Sequence, residues 1–416
     1  MGVDLRQVVA GILTITMFVM LIHMIKRDHF DSLVEDKFVG ATDSKFEGSH
    51  VRKNILWKVD VNVTDKPKPC WAKPSGDDVE QTEGFVVFSL SNGPEYHMSQ
   101  IADAVVVARS LGATLVIPDI RGSQPGDKRN FADIYDVDVF TKSMEGVVRV
   151  VKDLPDNISK NKVAAVKVPN RITKDYIVTH VEPIYRSKRN IRLATYFPSV
   201  NMRKAGGNGD TDSIACLAMY GSLELQPEIK DLVDLMVERL RTLSRKSDGQ
   251  FIAVDLRVEM LDKKGCQGGS NGKKDKSCYN AEEIAKFLRK IGFLKDTTIY
   301  VTESRWDSTL DFLKDLFPKT YTKEAIIPVD KKTKLEGSQD SELAKVIDLY
   351  ISSESDVFVP AISGLLYANV AGKRIGNGKT QILVPSHIQD SSASSASNFL
   401  SPYISKKNHF AYSCFC

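Results

Sequence analysis

From Gly84 onward the apolar positions of the chain switch between two periods. Phe85 to Leu90 is a short apolar run of strand type, Ser91, Asn92, Gly93 and Pro94 form a turn, and Ile101, Ala104, Val105, Ala108 and Leu111 recur at helical spacing. A strand is predicted again over 114–118, which completes a βαβ unit whose first turn lies where α/β sheets bind ligands. Further strands are predicted over 147–151 and 163–168, and 203–213, rich in Gly and Asp, reads as a mobile loop. Ile229, Leu232, Val233, Met236 and Leu240 share one face of a helix over Pro227–Leu243, which we take as the end of a first domain.

The alternation restarts at Phe251, Ile252, Ala253 and Val254, a continuous apolar run after Ser247, Asp248 and Gly249, as expected of a parallel strand buried on both faces. Asp255, Arg257 and Glu259 follow at once, so Arg257 stands at the strand's carboxyl end, where a charged ligand would arrive. A guanidinium is charged at any working pH and binds phosphate bidentately, which makes Arg257 a candidate for a diphosphate. The other reading of the same residue is an ion pair with Asp255 or Glu259. Asn280 caps a predicted helix carrying Ile284, Phe287, Leu288 and Ile291; strands at 298–301, 357–360 and 381–384 and helices at 308–316, 342–352 and 364–370 follow. The fold class is therefore α/β: two Rossmann-like domains, 84–246 and 247–389, facing a cleft, with 390–416 as a flexible tail.

Ahead of this body, residues 8–25 form an uncharged run of the length that spans a bilayer, with no small-residue cleavage site behind it. We read a signal anchor, a cytoplasmic tail over 1–7 and a stem over 26–83. Flanking charge alone leans towards a cytoplasmic body. Two features point to a lumenal one: the sequons at Asn62 and Asn157, and six cysteines, of which Cys266 and Cys278 bracket a loop that a local disulfide would close. The cysteines show no zinc spacing. With 57 basic and 53 acidic residues the net charge is +4, which is no footprint for nucleic acid.

Four ordered blocks carry a resemblance: GFVVFSLSNGPEYHMSQIADAVVVARSLGATLVIPDI, RNFADIYDVDVFTKSM, FIAVDLRVEML and YISSESDVFVPAISGLLYANVAGKRIG. Together they resemble the plant O-fucosyltransferase family, and within it the group of mannan synthesis-related proteins. The resemblance implies a single-pass type II Golgi membrane protein with a GT-B-like pair of domains. It also implies a GDP-sugar donor, fucose before other sugars, transferred with inversion to a glycan or glycoprotein hydroxyl without a metal or other cofactor. By the same resemblance Arg257 grips the donor's β-phosphate, Asp348 reads the guanine edge, Ser363 and Gly364 open a helix towards the phosphates, and Asp255 stands at the donor where the family has histidine. From its place in the first ligand-facing turn, Glu95 is a candidate general base; the other reading is an exposed loop glutamate.

The sequence departs from the family at that turn, with Asn92, Gly93, Pro94, Glu95 and Tyr96 in place of the glycine-rich motif and Met98 in place of an arginine. These departures suit an alternative in which an accessory protein with reduced turnover assists a mannan synthase. The transferase reading expects the Arg257 guanidinium to lie open in a crevice between the lobes, not to be buried and already matched by carboxylates.

Overall fold

The computed structural model describes residues 57, 67–73, 83–122, 126–156, 158, 163–204, 209–264, 266, 278–334, 342–385 and 396–416. The anchor span 8–25 and the sequons at Asn62 and Asn157 lie outside them. Among the described residues no helix is long and apolar enough to cross a membrane.

Among the described residues, eleven strands build two sheets within one compact unit. In the first, β1 (Phe85–Leu90) is central, and alternate residues Val86, Phe88 and Leu90 are buried. It runs parallel to β2 (Thr114–Val116) and, further along, to β3 (Asp119–Arg121), which pairs antiparallel with the exposed β4 (Lys128–Asn130). β5 (Val150–Val151) lies beyond β2, and on the other side of β1 come β7 (Asn190–Tyr196) and then β6 (Ala164–Pro169). The second sheet has the order β10 (Thr320–Tyr321), β9 (Thr298–Val301), β8 (Phe251–Asp255), β11 (Val357–Pro360), all parallel.

The apolar run at β8 has a simple physical origin. Phe251 and Ala253 face the core that also holds β1, while Ile252 and Val254 face a second cluster with Ile299, Val301, Val357 and Val359. Both faces are covered, so no position along the strand is polar until Asp255.

Helix α1 (Pro94–Ser110) follows β1 after Gly93, whose φ of 108° lies in the region glycine favours, and Pro94 fixes the first helical φ. Helix α2 (Pro227–Leu243) packs against β9 and the second sheet's helices, and its buried face lies in the core that also holds β1. The short helix α3 (Val258–Lys263) follows β8. Asn280 caps α4 (Ala281–Ile291) reciprocally with Glu283, as expected from its position. Helices α5 (Glu342–Glu354) and α6 (Leu365–Gly376) pack on each other, and both touch α1. The two sheets thus share one hydrophobic core through these three helices.

Other expectations are corrected. Residues 209–213, the later part of the mobile loop expected at 203–213, open a helix that runs Gly209–Cys216, and 381–384 makes only single bridges, from Ile382 to Phe358 and from Leu383 to Leu400. Residues 396–416, expected to be a flexible tail, are folded: Phe399, Tyr403, Ile404 and Phe410 are buried. Cys414 and Cys416 form disulfides with Cys216 and Cys70, and Phe415 packs edge-on against Trp71. The local Cys266–Cys278 bridge is present as expected.

Asp103, buried in the middle of α1, accepts from the backbone N–H of Ile172 at 3.1 Å. Burial pushes its carboxyl from 3.8 up to about 7. Because the folded-state pKa is raised, this group's contribution to stability is whole below the unfolded value near 3.8 and is lost as pH rises through about 7. Asp103→Asn keeps an oxygen for Ile172 and removes the charge. The variant should melt at a higher temperature than wild type at neutral pH, with the gap shrinking as pH falls through that window. Thermal denaturation across the window checks this; a gap that does not change with pH assigns the effect to packing.

Candidate functional site

β8 and β11 are neighbours in register, with Pro360 beside Asp255, so their carboxyl ends open at the same rim. Arg257 stands two residues past β8 as the cap of α3, and Gly364 caps α6 after β11. The Lys264 ammonium donates to the Ser363 carbonyl at 2.9 Å and ties the two loops together. Glu95 enters from the first sheet in the first turn of α1; its carbonyl accepts from the side-chain amide of Asn369 on α6. Glu95, Arg257, Ser363 and Gly364, far apart in sequence, are thereby brought to one rim.

Arg257 is held on two edges. Its Nε donates to Asp255 Oδ1 at 3.0 Å and its Nη2 to Oδ2 at 3.4 Å, while Nη1 lies 3.8 Å from Glu95 Oε1. Glu259 pairs with Lys263 instead. The guanidinium is therefore mostly buried and matched by carboxylates, contrary to the open cation the transferase reading expected. It is not sealed, however. The side chains of Arg257 and Glu95 are 22% and 14% exposed, against 0% for Asp255.

Burial alone would lower the guanidinium's pKa, but Asp255 and Glu95 outweigh it, so Arg257 stays charged. Burial raises the Glu95 carboxyl above the usual carboxylate range, against the pull of Arg257. Glu95 is thus neither an exposed loop residue nor free of its neighbour.

Two of the residues expected at the donor, Asp255 and Asp348, have their carboxylates bonded inside the protein. Asp255 is fully buried, with burial raising its carboxyl, and its oxygens are taken by Arg257 and by the Thr302 hydroxyl at 3.2 Å. It can aim Arg257 but has no surface for a ligand. Asp348 is buried too, with both oxygens on the Lys323 ammonium at 2.7 and 2.6 Å and Oδ1 also accepting from Tyr300 at 2.6 Å. Its side chain is 7% exposed, and both oxygens are engaged by partners inside the protein. Ser363 is exposed, and a Cβ built on Gly364 meets nothing within 4 Å, so this turn does have open space before it. Met98, at the position of the family's arginine, packs in the core and supplies no cation.

Residues 92–376 match the family model described as GDP-fucose protein O-fucosyltransferase. The chain belongs to that family. It is 61% identical to Protein MANNAN SYNTHESIS-RELATED 1 of Arabidopsis thaliana over 100% of both chains, and 30% identical to O-fucosyltransferase 29 of the same plant over 74% of this chain and 60% of that one. Among solved structures, that of POFUT1 in complex with GDP is similar at 14% identity and a TM-score of 0.45, over 73% of this chain and 99% of that one. Against this family background, Asn369, Lys264 and Thr302 are members of the site that sequence reasoning missed. Each acts through a tertiary contact with no local motif to announce it.

Proposed function

We propose that this protein transfers a sugar, fucose before others, from a GDP-sugar to a hydroxyl of a glycan or glycoprotein in mannan or cell-wall polysaccharide synthesis. The observation that carries the reading is the partly exposed guanidinium of Arg257, aimed by buried Asp255 at the rim where α1, β8 and the α6 turn converge. Membership of the O-fucosyltransferase family and the names of the mannan-related relatives support the donor and the setting.

In this reading the acceptor oxygen attacks the anomeric carbon from the face opposite GDP, the bond to the β-phosphate oxygen breaks with its electron pair leaving on GDP, and configuration inverts. Arg257 stabilises that departing charge where other transferases place a metal, so no cofactor is required. Glu95 takes the acceptor's proton. Ser363 and Gly364, at the start of a 12-residue helix, present backbone N–H groups to the phosphates.

Golgi residence, with 8–25 as the anchor and the body in the lumen, is part of the same proposal. The pairing of all six cysteines in three disulfides supports an oxidising compartment.

A second reading, the accessory protein beside a mannan synthase, is favoured by one observation: Arg257 already meets two carboxylates, one of them at the departing first motif. The deciding experiment incubates the purified full-length chain with GDP-fucose or GDP-mannose, with and without mannan oligosaccharides, and measures GDP release. Acceptor-dependent release supports transfer; donor binding without release under every condition selects the accessory role.

A further inference from the structure

We infer that Glu95 is a tethered anion that occupies the phosphate-facing edge of Arg257 until the donor's diphosphate displaces it. This rests on the reading of Arg257 as the donor's phosphate ligand and adds what that reading leaves unexplained, the second carboxylate on the same cation.

The two carboxylates differ in kind. Asp255 takes the Nε and Nη2 edge from inside the protein, is fully buried, and is braced by Thr302. Glu95 comes near at Nη1, 3.8 Å away and beyond hydrogen-bond distance, from a side chain that solvent reaches. One contact is a brace and the other is loose. An entering phosphate is able to replace only the loose one, because it approaches from the solvent side.

The backbone suits this placement. Glu95 is the second residue of a 17-residue helix, and its carboxylate folds back over that helix's start: a Cβ built on Gly93 would lie 2.5 Å from Glu95 Oε2. Helix starts favour negative charge. The carboxylate therefore fills an anion position formed by a guanidinium and a helix start together. A diphosphate entering beside it would face one guanidinium against two carboxylates and be repelled. With Glu95 displaced, the guanidinium regains an edge for the donor. The released carboxyl also loses the neighbour that opposes the effect of burial, which makes it a better proton acceptor once the donor is bound.

The test measures binding of GDP, inorganic pyrophosphate and guanosine to the full-length chain by calorimetry, for wild type, Glu95→Gln and Arg257→Lys, with circular dichroism confirming the fold of each. Loss of a partly screened charge pair predicts GDP and pyrophosphate binding about five-fold tighter in Glu95→Gln, with guanosine unchanged. Transfer by the same variant should be slower, a split between binding and turnover that a structural role for Glu95 would not give. If Glu95→Gln leaves GDP binding unchanged or weaker while Arg257→Lys weakens it, the tethered-anion inference falls and the donor site stands. If Arg257→Lys leaves GDP binding unaltered, or no form binds GDP, the donor site itself falls, and the inference with it.

Discussion

Lys323→Met should cost this protein roughly 3 to 5 kcal/mol of stability, the range found when one partner of a buried ion pair is removed. Lys323 and Asp348 are 3% and 7% exposed at the side chain, joined by two contacts of 2.7 and 2.6 Å, and Tyr300 closes the group from β9. Methionine fills the volume of the lysine stem but leaves the buried Asp348 carboxyl without its cation and held only by a phenol. The second substitution decides what the carboxylate is for. Lys323→Met with Asp348→Leu removes both charges and should recover most of the loss, because a buried pair replaced by apolar groups is often neutral. Were Asp348 the reader of the guanine edge, the recovered double variant would bind GDP far more weakly than wild type. The buried geometry predicts GDP binding close to wild type in that variant, measured by calorimetry beside urea denaturation.

The history of Asp348 shows where the sequence is silent. Its partner Lys323 lies 25 positions away in the short helix Lys323–Ile326 after β10, and the pairing exists only because α5 and that helix meet in the folded core. β8, by contrast, was legible because covering both faces of a strand requires an unbroken apolar run, and Phe251 to Val254 satisfies it. β3, β4 and β10 were not legible: at two or three residues they give too little period to detect, and β4 exposes every side chain. The tail misled through composition, since the Ser and Ala residues over 390–397 outweighed Phe399, Tyr403, Ile404 and Phe410, whose burial holds the chain end. At the site, the position of Arg257 and its pairing with Asp255 were both within reach of a two-residue spacing. Glu95 as the second carboxylate was not, because it arrives from the other sheet across 162 positions.

Arg257→Ala should reduce acceptor-dependent GDP release by about a hundred-fold to a thousand-fold, the usual consequence of deleting one preorganised group that stabilises a departing charge. The variant also leaves Asp255 buried beside only Thr302. A loss of activity therefore counts only if the folded fraction, read by circular dichroism, is retained. Arg257→Ala combined with Asp255→Asn controls for that, since it removes the unpaired charge while keeping an acceptor for Thr302 and should restore stability without restoring transfer. Asp255→Asn alone separates aiming from charge. The guanidinium remains but is held by one oxygen instead of two, so transfer should fall less than in Arg257→Ala, and GDP binding should persist. The order wild type, Asp255→Asn, Arg257→Ala is the signature of a cation whose orientation matters. A folded Arg257→Ala variant that releases GDP within a few-fold of wild type would place the chemistry on other residues. The doubly matched guanidinium would then be a structural brace at the rim of the second sheet.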